Sequence, residues 1–150
     1  MIRPAQPEEM DAVRAIFSEY AGWVGDGICF PSFERELTGL PGRYAPPDGR
    51  LMLSVEDGAI AGCAALRQFG PHIGEMKRLY VRPAFRGHNL GRLLLDCIIA
   101  HASQVGYALL RLDTLPHMER AITLYRRRGF YEIPRYGDNP DGAICFELKL

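Results

Sequence analysis

The chain has 150 residues, 47% hydrophobic and 24% charged, with 18 Lys/Arg balancing 18 Asp/Glu. That size and mix suit one globular domain with one core and exclude a disordered or fibrous chain, and no stretch is apolar enough to span a membrane. Overall neutrality argues against a nucleic-acid binder, and Cys29, Cys63, Cys97 and Cys145, widely spaced with no Cys-x-x-Cys, argue against a zinc site or a disulfide frame.

The neutrality hides an asymmetry. Residues 1–75 carry 6 Arg against 11 Asp/Glu, and residues 76–150 carry 12 Lys/Arg against 7 Asp/Glu. A basic half suits an anionic cofactor and an acidic half suits a cationic or amine substrate, although surface charge also segregates by chance. Met1-Ile2-Arg3-Pro4 lacks the apolar run of a signal peptide, so a cytoplasmic, reducing location is expected. The scattered histidines give no metal site.

In chain order, Ile2-Arg3-Pro4 reads as a short edge strand. Glu8 to Trp23 reads as a helix with Met10, Val13, Ile16, Phe17 and Tyr20 on one face. Phe33 and Leu37 predict a second short helix near Ser32 to Leu40, stopped by Pro41-Gly42. Leu51 to Val55 and Ile60 to Leu66 are strands around the turn Glu56-Asp57-Gly58-Ala59. The second of these is thin, with Gly62 and several alanines, as a strand closely covered by a helix would be. Met76 to Val81 is a third strand, ended by Pro83. Leu93 to His101 is a buried helix, and Ala108 to Asp113 follows as a strand. Strand, helix, strand implies a right-handed crossover and a parallel pair. Pro116 to Arg128 predicts a helix, with Arg126, Arg127 and Arg128 complementing its negative end and Gly129 as its cap. Phe130 to Ile133 and Ala143 to Leu148 are the last strands. The expected fold class is therefore α/β with a mixed sheet.

The stretch from Met76 to Val105 organises the rest. A strand runs into Arg86-Gly87-His88-Asn89-Leu90-Gly91-Arg92 and then into a helix start. Unpaired N–H groups at such a start, flanked by two arginines, suit a phosphate-bearing ligand. The alternative is that Gly87 and Gly91 only let the chain turn and let the helix pack on the sheet. A P-loop or a dinucleotide fingerprint would need other spacings, and neither is present.

These residues resemble the acyl-CoA motif Arg/Gln-x-x-Gly-x-Gly/Ala of the GCN5-related N-acetyltransferases (GNAT). Arg86 takes the first position and Gly91 the last, and Asn89 stands where the middle glycine is usual; Asn tolerates left-handed backbone angles. Ala121-Ile122-Thr123-Leu124-Tyr125-Arg126-Arg127-Arg128-Gly129-Phe130 is similar to a second block of that family. The resemblance covers Glu75 to Phe130 well. It implies a mixed, mostly antiparallel sheet whose central parallel strands splay apart, with flanking helices. It implies acetyl-CoA as co-substrate, its pantetheine arm on the backbone of Leu79, Tyr80 and Val81. Its pyrophosphate would lie on Arg86, Gly87, His88, Asn89, Leu90, Gly91 and Arg92, held mainly by N–H groups.

The same resemblance implies N-acetyl transfer to a small-molecule or peptide amine by direct attack in a ternary complex. It makes Tyr125 the general acid toward the CoA sulfur and Glu75 the general base, for which a raised pKa would fit. The alternatives are a core tyrosine and a strand-start glutamate paired with Lys77, Arg67 or Arg111. Many members have asparagine where this chain has Met118, so that contact is either lost or replaced by His117 or Thr114. Trp23, Asp26, Phe30 and Tyr136 sit on segments that flank the acceptor site in this fold, the alternative being that the aromatics are core residues. A homodimer through the last strands is expected on resemblance alone. The departures at Asn89 and Met118 keep a second reading open, a non-catalytic CoA-binding or sensor module.

Overall fold

The computed structural model describes residues 1–25 and 32–150. Its strands are β1 (Ile2–Pro4), β2 (Arg50–Glu56), β3 (Ala59–Gly70), β4 (Ile73–Val81), β5 (Leu109–Thr114), β6 (Tyr131–Ile133) and β7 (Ile144–Lys149). The helices are α1 (Met10–Val24), α2 (Phe33–Thr38), α3 (Leu90–Val105) and α4 (Glu119–Arg127). The strands form one 7-stranded sheet in the order β1-β2-β3-β4-β5-β7-β6. Only β4 and β5 pair in parallel; every other neighbour is antiparallel. The α3 crossover produces that parallel pair, as the strand–helix–strand order requires.

Alternation along the strands builds a core on each face. Met52, Leu66, Met76, Leu110 and Phe146 face α3 and α4, where Leu94, Leu95, Ile98 and Tyr125 meet them. Leu51, Leu53, Cys63, Ala65 and Tyr80 face α1 and α2, against Val13, Ile16, Phe17 and Phe33. Gly62 in thin β3 is hemmed in by both β4 and α3: a Cβ there would lie 2.7 Å from the Tyr80 carbonyl oxygen and 3.1 Å from Leu94 Cδ1. Only glycine admits that approach.

Three elements depart from expectation. β3 and β4 are longer than predicted, because Pro71 and His72, the latter at φ 61°, make a tight hairpin instead of a linker. The 3-10 turn Pro7–Glu9 precedes α1. Helix α4 begins at Glu119, not Pro116, because Met118 is non-helical at φ −87°, ψ 63°, and its N–H closes a turn onto Leu115 O at 3.0 Å.

The irregularity that matters lies in β4. Tyr80 pairs with Cys63 and Lys77 with Ala65, so β4 spends one more residue than β3 over this interval. The extra residue is a β-bulge, and Arg78 within it sits at φ 62°. On the other side, the parallel ladder to β5 runs through Ile73–Leu109, Gly74–Leu110 and Glu75–Arg111 and then stops. Beyond Glu75 the two strands diverge.

Candidate active site

The divergence opens a slot in the middle of the sheet. Lys77, Arg78 and Leu79 form one side, and Leu112, Asp113 and Thr114 form the other. Met118, Ala121 and Tyr125 close it from α4, and Tyr20 and Trp23 from α1. Tyr125 packs against Phe130 and Phe146 and is 5% exposed. Burial pushes its phenol pKa far up, so it stays protonated. Its hydroxyl has no hydrogen-bond partner among the described residues, which leaves its proton available to whatever enters the slot. Met118 sits at the slot with its sulfur 3.4 Å from Thr114 Oγ1. Thr114 is thus the polar group beside the position where asparagine was expected, and His117 is not among the lining residues.

One ion pair spans the slot: Lys77 Nζ lies 3.1 Å from Asp113 Oδ1 and 4.0 Å from Glu75 Oε2. Asp113 was missed in the sequence. Its only signal was the alternation of β5, which puts it on the same face as Arg111.

At the mouth of the slot, the strand end turns through Pro83–Phe85 into the start of α3. Arg86 N–H is bonded to Pro83 O at 3.3 Å. The free amides therefore begin one residue later than expected. Among the described residues, the N–H groups of Gly87, His88, Asn89, Leu90, Gly91 and Arg92 meet no acceptor of the chain. Leu93 N–H is the first to do so, on Asn89 O at 3.2 Å. Gly87 at φ 89° and Asn89 at φ 63° take left-handed angles, so Asn89 does what the usual glycine would. A Cβ on Gly91 would meet nothing within 4 Å. Packing of helix on sheet therefore does not require glycine there; a Cβ would project into open space at the helix start.

The side chain of Arg86 points back, donating to Val81 O at 3.0 Å, with its guanidinium 5.1 Å from the Trp23 ring and 5.8 Å from the Tyr80 ring. The Tyr80 side chain is core, and Tyr80 is not among the slot-lining residues. A groove continues from the turn between α3 and α4, lined by Arg92, Arg120, Arg127 and Arg128 with Asp96 and Glu119. Asp96 engages Arg128 and Arg92, whereas Arg120 and Arg127 have no carboxylate partner among the described residues. The arginine run is therefore divided: Arg126 pairs with Glu132 at 3.3 Å and Arg127 faces the groove.

A second recess adjoins the slot and shares Lys77 and Arg78 with it. Glu75, 2% exposed, is at its inner wall. Arg67 Nε donates to Glu75 Oε1 at 2.9 Å, and Tyr136 O–H donates to Oε2 at 2.7 Å. The expected partner Arg111 instead bonds Glu147 at 2.8 Å, with its guanidinium 5.6 Å from the Phe69 ring and 5.2 Å from the Tyr136 ring. Burial alone would raise the Glu75 pKa, but Lys77, Arg67 and the Tyr136 hydroxyl together outweigh it and hold it below the ordinary value. The expected raised pKa is thus corrected: the fold surrounds this carboxylate with donors. Glu75 belongs to the acidic half, yet its recess presents Arg43, Arg67, Lys77 and Arg78 against Glu36, Glu75 and Asp138.

Of the acceptor-side candidates, Tyr136 reaches Glu75, and Trp23 lines the slot, 49% exposed. Asp26 and Phe30 lie outside the described residues.

The family model for the acetyltransferase (GNAT) family matches residues 10–130. The chain belongs to the GNAT family. An uncharacterized N-acetyltransferase of Schizosaccharomyces pombe is 37% identical over 142 residues, covering 93% of this chain and 87% of that one. The IAA acetyltransferase of Azospirillum brasilense is 33% identical over 141 residues, covering 93% and 90%. The fold matches that of a Salmonella typhimurium protein whose structure holds acetyl-CoA, at TM-score 0.77 and 22% identity, covering 99% and 92% of the two chains. This GNAT protein is accordingly an acyltransferase with a mixed α/β fold, and no helix among its described residues is long and apolar enough to cross a membrane. Among the described residues no group of three or more His, Cys, Asp or Glu is placed to hold a metal ion.

Proposed function

We propose that this GNAT protein transfers the acetyl group of acetyl-CoA directly to a primary amine, of a small molecule or a peptide, within a ternary complex. What carries the reading is the run of amides from Gly87 to Arg92 with no acceptor of their own, set at the mouth of a slot between diverging strands. A diphosphate fits such amides. The edge of β4 beyond Glu75 has no partner strand, so the backbone of Leu79 and Val81 suits an extended, amide-bearing arm. Arg120 and Arg127 suit the remaining phosphate of the same ligand.

Acetyl-CoA supplies the activated acetyl group. A backbone N–H of β4 near Leu79 to Val81 holds the carbonyl oxygen as negative charge develops. The neutral amine adds first, forming the carbon–nitrogen bond; Tyr125 then gives its proton to the sulfur as the carbon–sulfur bond of the tetrahedral adduct breaks, and the phenolate regains a proton from solvent. Glu75, with its low pKa, takes no proton from a free ammonium at neutral pH. It accepts one, through water, from the nitrogen once that nitrogen is bonded to the tetrahedral carbon and has become far more acidic. The products are an N-acetyl amide and free CoA thiol. No cysteine is needed as an acyl carrier: Cys63 is fully buried, with its thiol pushed up to about 12 by burial. Free Cys63, Cys97 and Cys145 fit a reducing, cytoplasmic setting.

Calorimetry with acetyl-CoA followed by a thiol-release screen over amines tests this. Binding together with release is expected; tight binding with no release across a broad panel would instead favour a CoA sensor.

A further inference from the structure

We propose that the acceptor is an amine that also carries a carboxylate, which Arg43 binds at the rim of the recess while the amine points inward past Glu75 to the slot. The inference rests on the acetyltransferase reading and adds the chemical class of its second substrate.

The argument is a count of commitments. Glu36 receives two bonds of 2.9 Å from Arg78 and one of 3.1 Å from the buried Tyr44. Glu75 receives Arg67 and Tyr136, with Lys77 beside it. Both inner carboxylates are thus satisfied, and a second ammonium on an acceptor finds there only cations already bound to them. The remaining acid of the recess, Asp138, is exposed at the rim.

Arg43 is in the opposite condition. It has no carboxylate partner among the described residues, and one guanidinium nitrogen alone is engaged, on Gln68 O. Arg43 is exposed at the edge of the recess, and that bond sets its guanidinium beside Gln68 while two of its nitrogens remain unused. A planar guanidinium with donors to spare and no anion of its own is what a carboxylate recognises. A polyamine acceptor, by contrast, would bring charge of the same sign to Arg43, Arg67 and Lys77.

The test compares amino acids, their carboxamides and the corresponding decarboxylated amines, in thiol release at saturating acetyl-CoA and in calorimetric titration of the CoA complex. Carboxylates are expected to exceed their carboxamides in kcat/KM by about threefold to fivefold, the scale of an exposed ion pair. Arg43→Gln should erase that margin, the carboxylates losing more than their carboxamides, with acetyl-CoA affinity unchanged. Equal use of carboxylates and carboxamides by the native protein, or an equal loss for both in R43Q, overturns the proposal. If no amine releases thiol, the acetyltransferase reading fails separately. Titration still decides the recess: a carboxylate preference lost in R43Q supports it, and equal affinities refute it.

Discussion

Arg78 and Glu36 lie 42 residues apart in the chain and meet in two parallel hydrogen bonds of 2.9 Å. The pair ties helix α2 to the bulge of β4, where Arg78 holds a backbone angle that arginine rarely takes. Both side chains are largely buried. Removing one leaves the other charge without its principal partner, at a cost of about 3 kcal/mol. Glu36→Ala should therefore lower the midpoint of denaturant unfolding clearly, and a double-mutant cycle with Arg78→Ala should give a coupling of similar size. Additive single effects would show that the bulge is held by other means.

Tyr125 can be tested apart from binding. Tyr125→Phe keeps the ring packed on Phe130 and Phe146 and removes only the hydroxyl. Turnover should fall by roughly 10²-fold, the lower range for general acid catalysis, with the calorimetric affinity for acetyl-CoA unchanged. An unchanged turnover would remove Tyr125 from the chemistry.

Glu75 gives a pH signature. Its folded pKa is depressed, so it is ionised throughout the neutral range and its titration does not shape the rate there. The rise of kcat/KM between about pH 6 and 9 should follow the pKa of the acceptor amine and move when a less basic amine is used. The same depression is a stability statement. Its contribution is present above the unfolded pKa and is lost as pH falls through the lower, folded one. Tyr136→Phe weakens the depression, so acid unfolding should begin at a higher pH than in the parent.

Gly91 should oppose stability and binding. No packing contact forbids a Cβ there, so Gly91→Ala ought to stabilise α3 by roughly 0.5–1 kcal/mol. It also places a methyl group before the free amides, so affinity for acetyl-CoA should drop. A variant that melts higher and binds equally well would separate the glycine from the ligand.

The groove between α3 and α4 predicts a contrast between CoA and dephospho-CoA. Arg120→Gln and Arg127→Gln should each weaken CoA by several-fold while barely touching dephospho-CoA, and the contrast should shrink in high salt. Equal losses for both ligands would place the extra phosphate elsewhere.

Much of this was written locally. The turn of free amides could be read because its signals are backbone signals: Gly87, Asn89 and Gly91 follow a strand and open a helix. Tyr125 was legible from the block around it and from its place on the buried face of α4. Asp113, Arg43 and the Arg78–Glu36 pair were not, because each acts through a partner brought in from a distant segment. The Glu75 pKa was misjudged for the same reason. Its burial follows from its strand, but its donors come from β3 and from the loop carrying Tyr136, and those donors reverse the direction of the shift. Nor does a strand pattern announce that one of its residues is supernumerary.

That surplus residue in β4 has a consequence for how the protein can vary. Deleting one position between Lys77 and Leu79 would let β4 run in step with β3 and lie back alongside β5. The sheet would become more regular, its backbone groups better matched, and the doorway in its middle would shut. Length in this segment is therefore constrained by the opening it maintains, and a shortened chain could fold well and accomplish nothing.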